Sequence, residues 1–136
     1  MKRREFILGT TAACLLLGSL PFSGCSPYTY VTAEEENGKL KVSKTSFSDG
    51  KWVMVRSVKA NAPIFISKTE TGAYDAVLML CTHKQCEVKP SGTLLACPCH
   101  GAEFAFNGKV LKEPAEKDLA QFKTTTDENY IYIHLK

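Results

Sequence analysis

Beyond residue 38 the apolar positions fall into short runs, KLKVSKT, KWVMVRSV, PIFISK, YDAVLML, TLLAC, EFAFN, KVLKE, LAQFKTT and NYIYIHL, rich in β-branched and aromatic side chains. Between them stand Ser48-Asp49-Gly50, Glu70-Thr71-Gly72, Pro90-Ser91-Gly92, Asn107-Gly108 and Asp127-Glu128-Asn129, residues that set up turns or tolerate positive φ. Strands at this spacing predict an all-β sandwich or barrel. Asn107-Gly108, between EFAF and KVLK, is the sharpest hairpin signal. Tyr130 and Tyr132 alternate with Ile131 and Ile133, which predicts a last strand with one buried face. Trp52, Phe65 and Phe122 are expected in the core. No long helix is predicted, although PAEKDLAQF has room for a short one, and there is no internal repeat.

The chain of 136 residues is long enough for one modest core. Its first residues, Met1-Lys2-Arg3-Arg4-Glu5-Phe6-Ile7, lead into an apolar segment, the outline of an export signal. The paired arginines resemble the twin-arginine signal, which carries folded proteins. Pro21-Phe22-Ser23-Gly24-Cys25-Ser26 resembles a lipoprotein processing site in which Cys25 becomes lipidated, with Phe22 where Leu is usual. Two other readings stay open. The apolar segment is kept as an anchor, though it is shorter than the roughly 20 residues that span a bilayer, or Cys25 is a plain thiol after a soluble signal. All three place the domain outside the cytoplasm. Residues 1–24 are therefore read as an export signal, 25–38 as a tether and 39–136 as the folded domain. Cys14 has no assigned role, and Glu34 to Glu36 are read as solvated surface. A formal charge of +3, with 23% charged and 44% hydrophobic residues, is that of a globular protein. No basic cluster beyond the N-terminus points to nucleic acid.

Two boxes carry the chemistry: CTHKQC at 81–86 and CPCHGAEF at 97–104. Cys81 and His83 are one residue apart and can turn to the same side of an extended or looped backbone. A tight loop brings Cys97 and His100 to one point. The intervening EVKPSGTLLA has a turn at its middle, so a short hairpin would set the two boxes side by side. A structural zinc site of two cysteines and two histidines is chemically adequate, but leaves Cys86 and Cys99 without a task. Two disulfides suit an exported protein, but give no reason for a histidine beside each cysteine.

A third arrangement gives both residue types a task. C-x-H followed by C-x-x-H resembles the Rieske proteins, whose 2Fe-2S cluster has two thiolates on one iron and two imidazoles on the other. The resemblance spans about residues 77–114 and is nearest to the exported members found in cytochrome bc complexes and arsenite oxidases, with boxes C-T-H-x-G-C and C-P-C-H-G-S. It implies that Cys81 and Cys97 hold one iron, that His83 and His100 hold the other, and that Cys86 pairs with Cys99 in a disulfide. It also implies an antiparallel β sandwich with a small inserted cluster-binding subdomain. KEPAEKDLAQF resembles the family's proline-bearing segment over the cluster: Pro114 and Leu119 match, while Glu113 and Glu116 replace Gly and Pro.

Three departures qualify the likeness. Ala102 and Phe104 stand where high-potential members carry Ser and Tyr, whose hydroxyls donate to sulfur; without those donors a low potential is expected. Lys84-Gln85 replaces an apolar residue and Gly, which suits a polar or acidic partner surface better than an apolar quinol pocket. The 13 residues between His83 and Cys97 make a short connecting loop. The function implied is one-electron transfer by a membrane-tethered subunit or shuttle, between a quinol- or metalloenzyme-type donor and a cytochrome-like acceptor. It is an electron-transfer component of an oxidoreductase rather than a catalyst by itself. A subunit of a quinol:cytochrome oxidoreductase and an arsenite-oxidase-type small subunit are alternatives, and a non-redox exported binding or assembly lipoprotein with a structural metal is the rival from another class. His134 is read as an ordinary surface histidine.

Overall fold

Strands β4 (Trp52–Val55), β5 (Ile64–Lys68) and β6 (Tyr74–Leu78) run through the middle of the molecule. WVMV, IFI and AVL are apolar at consecutive positions, as strands covered on both faces must be. Val53, Val55, Ile64, Ile66 and Ala76 face one core, while Met54, Phe65 and Val77 face a second. The protein is described here by a computed structural model covering residues 28, 30–48 and 50–136. The proposed export signal, Cys14 and Cys25 lie outside them.

Around this middle, β1 (Tyr30–Val31), β2 (Glu34–Glu36), β3 (Lys39–Ser43), β11 (Gln121–Thr126) and β12 (Tyr130–His134) complete an eight-stranded sheet in the order β1-β4-β5-β6-β11-β12-β3-β2. All its pairings are antiparallel except that of β1 with β4. Leu40 and Val42 of β3 and Ile131 and Ile133 of β12 share one core with β4 and β5, three or more strands away in that order. Only a sheet curled on itself brings those faces together. The alternation expected of the last strand is present: Ile131 and Ile133 are fully buried, and Tyr130 and Tyr132 are half-buried.

A second sheet of four short strands, β7 (Lys89–Ser91), β8 (Leu94–Ala96), β9 (Glu103–Phe104) and β10 (Val110–Lys112), is inserted between β6 and β11. It packs on the outer face of the curled sheet, with Leu95 and Phe104 joining Met54, Phe65 and Val77 in one core. The all-β architecture with an inserted subdomain is as expected. Asn107-Gly108 does turn β9 into β10, and Gly108 sits at φ +88° with Val77 and Leu119 close against it.

The structure departs from the sequence reading in four places. The stretch expected to be a tether is folded from Tyr30 onward as β1 and β2. Tyr30 lies under the Arg56 guanidinium, 4.3 Å from the ring centre, and Tyr28 donates to the Pro90 carbonyl at 3.3 Å. Within Glu34 to Glu36 the middle residue is half-buried; Glu35 pairs with Lys59 at 2.8 Å and accepts from Ser57 at 3.0 Å. Lys59 first of all, with Ser57, holds the Glu35 carboxyl below the ordinary carboxylate range. PAEKDLAQF forms no helix, because its amides and side chains are used elsewhere: Leu119 N–H donates to Gly108 and Asp118 accepts from Val110 N–H. Phe65 is buried as expected, whereas Trp52 and Phe122 are half-buried.

Candidate metal centre

The hairpin of β7 and β8 sets both cysteine-histidine boxes at one end of the small sheet, since one box immediately precedes the hairpin and the other follows it. Each box closes by the same pair of main-chain hydrogen bonds. In the first, Cys81 N–H donates to Cys86 C=O and Gln85 N–H to Cys81 C=O, both at 2.8 Å. In the second, Cys97 N–H donates to Ala102 C=O at 2.8 Å and Gly101 N–H to Cys97 C=O at 3.1 Å. Both are thus six-residue loops beginning on a cysteine, and both carry positive φ at the fifth position, +60° at Gln85 and +80° at Gly101. The sequence signalled this only in the second loop, through its glycine. In the first, a glutamine takes the left-handed conformation at a cost of about 1–2 kcal/mol.

The two loops put unlike ligand types at unlike depths. Cys81 and Cys97 are free thiols with 1% and 3% exposure, inside the core shared with Phe104, Ala102, Ala115 and Leu119. Burial pushes the Cys81 thiol up; the His83 and Lys84 amides, donating to its sulfur, pull it down, and the adjoining Cys97 thiol adds to the rise. Two sulfurs this close and this deeply buried are well suited to share a cation. Above them the His83 and His100 rings meet edge to face, centres 4.8 Å apart at 87°. His100 is exposed and His83 half-buried. Nδ1 of His83 is buried with no hydrogen-bond partner in the protein, although buried polar atoms are normally paired.

Cys86 and Cys99 are joined in a disulfide that ties one loop to the other, with Cα atoms 6.4 Å apart. For its sequence separation of 13, closure of the unfolded chain is worth about 3 kcal/mol. The proline-bearing segment is fastened beside the first loop by Thr82, whose hydroxyl donates to Lys117 C=O at 2.6 Å. That contact was not anticipated from the sequence, which matched only Pro114 and Leu119. Ala102 and Phe104 are fully buried against the cysteines. Lys84 is exposed at the loop tip, with no acidic partner among the described residues. His134 is on the last strand, against the Thr125 hydroxyl at 2.9 Å, away from the loops. Cys25 lies outside the described residues.

Two buried thiols, two imidazoles and an unpartnered Nδ1 fit a metal centre that takes sulfur on one side and nitrogen on the other. The donor set alone suits zinc as well as iron. Comparison with known proteins separates the two. Residues 35–123 match the Rieske [2Fe-2S] domain. The chain is 33% identical over 66 residues to the cytochrome b6-f complex iron-sulfur subunit of Chlorobaculum tepidum, covering 47% of this chain and 36% of that protein. It is 30% identical over 108 residues to the cytochrome b6-f complex iron-sulfur subunit 1 of Nostoc, covering 75% of this chain and 60% of that one. The chain therefore spans about a third to three fifths of the length of these relatives. Among solved structures, the plasma membrane Rieske protein PetC3 of the cyanobacterium Synechocystis superposes with a TM-score of 0.59 at 33% identity, covering 67% of this chain and 93% of that one.

Proposed function

Because the chain belongs to the Rieske 2Fe-2S family, we propose that Cys81 and Cys97 hold one iron of its cluster, that His83 and His100 hold the other, and that the protein passes single electrons between redox partners. The observation that carries this reading is the two-level site: paired thiols sealed in the core under two imidazoles, one with its Nδ1 buried and unpartnered. When bound, the cluster supplies reversible one-electron chemistry. The chain does the rest. The His83 and Lys84 amides donate toward the Cys81 sulfur and favour its anionic form. The core around Phe104 and Leu119 keeps water from the sulfur side. His100, which is exposed, and His83, which is half-buried, are the proposed exit for electrons to a docked partner.

The potential is proposed to be low, because the two positions that could offer hydroxyls to the sulfurs hold Ala102 and Phe104. The domain is proposed to work outside the cytoplasm, tethered through Cys25 or an N-terminal anchor. Among the described residues no helix is long and apolar enough to cross a membrane. A role as the Rieske subunit of a quinol-oxidising cytochrome complex is the second reading, favoured by the relatives named as cytochrome b6-f subunits. Lys84 at the tip favours a protein partner with a polar or acidic face, such as a cytochrome-like acceptor.

The test is chemical analysis of the purified protein with an EPR-monitored redox titration. The expected result is two irons and two acid-labile sulfides per chain and a Rieske-type signal, with a midpoint well below the top of the family range of roughly −150 to +300 mV. One zinc per chain without sulfide sinks the electron-transfer reading and returns the structural-metal lipoprotein.

A further inference from the structure

The sulfur of Cys97 has two kinds of neighbour. Besides the Cys81 thiol, it has the disulfide itself, for the Sγ atoms of Cys86, Cys97 and Cys99 all lie within 4.8 Å of one another. A free thiol held beside a disulfide is the reactant pair of thiol–disulfide exchange. Here no loop has to travel to bring them together, because main-chain hydrogen bonds fix both boxes.

Resting on the assignment of Cys97 as a ligand, we propose that engagement of Cys97 by the cluster is what preserves the native disulfide, and that removal of the cluster lets Cys97 take Cys86 from Cys99. In that step the Cys97 thiolate attacks the Cys86 sulfur. The Cys86–Cys97 bond forms as the Cys86–Cys99 bond breaks, and Cys99 leaves as a thiolate and takes up the proton that Cys97 lost. Two thiols and one disulfide are present before and after, so no oxidant or reductant is consumed.

The direction follows from exposure. Cys99 is at the surface and Cys86 half-buried, so a thiolate departing at Cys99 is better hydrated than one left at Cys86. The product keeps the two loops tied, since Cys97 and Cys99 belong to the same box. It removes one of the four ligands, however, so the exchanged chain stays folded and cannot be reloaded. The site is thereby a single-use one, and a chain that loses its cluster outside the cytoplasm is marked by a new surface thiol at Cys99.

Peptide mapping of the full-length holoprotein decides the matter. Loaded protein and protein stripped anaerobically with an iron chelator, in the absence of added thiol or oxidant, are alkylated under native conditions, then unfolded, alkylated with a second mass label and digested. In the loaded protein Cys97 is expected to escape the first label and Cys86 to map to Cys99. After stripping, over the seconds to hours typical of disulfide reshuffling, most chains are expected to carry Cys86–Cys97 with Cys99 taking the first label. Stripped chains that retain Cys86–Cys99, or that form Cys97–Cys99 instead, overturn the proposal and leave the ligand assignment standing. First-label alkylation of Cys97 while the EPR signal is intact removes the assignment, and the proposal with it.

Discussion

At the scale of single residues, the low potential proposed for the site rests on what Ala102 and Phe104 lack. Both side chains are fully buried in the core that encloses Cys81 and Cys97, so a hydroxyl at either position would have the sulfurs as neighbours and no water to compete. Donors to sulfur favour the reduced, more negative cluster. A hydrogen bond to a charged acceptor is worth roughly 1.5 to 3 kcal/mol, and about 59 mV corresponds to a factor of ten for one electron. The double variant Ala102→Ser, Phe104→Tyr is therefore expected to raise the midpoint by on the order of 100 to 200 mV. An unchanged midpoint in a redox titration would refute this account. These two positions were legible in the sequence because the motif indexes them by spacing from His100. The positive φ of Gln85 was not legible, since a glutamine gives no hint of left-handed backbone, and the replacement looked like a departure from the motif when it is the same turn at higher cost.

At the scale of elements, the hairpin of β11 and β12 shows how a turn is fixed by one carboxylate. Asp127 accepts from the Tyr132 hydroxyl at 2.6 Å, the Tyr130 amide at 2.7 Å and the Asn129 amide at 2.9 Å. Tyr132 first of all, then those amides, hold its carboxyl below the ordinary carboxylate range. A carboxyl depressed on folding stabilises the fold fully above its unfolded value, about 4, and that share is lost as pH falls through the lower folded value. Asp127→Asn is accordingly expected to lower the melting temperature at pH 7 and to flatten its decline between about pH 5 and 2. Parallel melting curves for the two proteins across that range would contradict it. The turn itself was marked by Asp127-Glu128-Asn129, and the strands by their β-branched runs. What the runs did not reveal was β1 and β2. Tyr30 and Val31 are too few to show a period and pair in parallel with β4, while three glutamates give no alternation of apolar and polar side chains.

On the scale of the whole molecule, the curled sheet is a base and the small sheet a mount, and the two share a core through Met54, Phe65 and Val77. What projects from the mount is the tip carrying His83, Lys84 and His100. If partners dock at that tip, as proposed, its charge sets the rate of encounter, an effect that salt screens as the Debye length falls from about 30 Å at 0.01 M to about 8 Å at 0.15 M. Lys84→Glu is expected to slow reduction of a small anionic oxidant several-fold at low ionic strength and to approach the parent rate at physiological salt. Equal rates in dilute buffer would mean that Lys84 has no part in recognition. The all-β class and the juxtaposition of the two boxes were readable, because short runs and turn residues state the class and the hairpin residues state the juxtaposition. The docking of the small sheet on the outer face of β4 to β6 was readable only afterwards, since a doubly buried strand and a singly buried one differ in neighbours that a linear pattern does not name.

The twofold use of one six-residue loop also bears on how such a protein can diversify. Each loop is shaped by its own peptide groups and by a residue with positive φ at its fifth position, not by the side chains at Lys84 or Pro98. Those outward positions can drift under selection for a new partner while the frame that presents the ligands stays unchanged. On the proposed assignment, retention of the prosthetic group and choice of company are then separable traits, carried on different atoms of the same twelve residues.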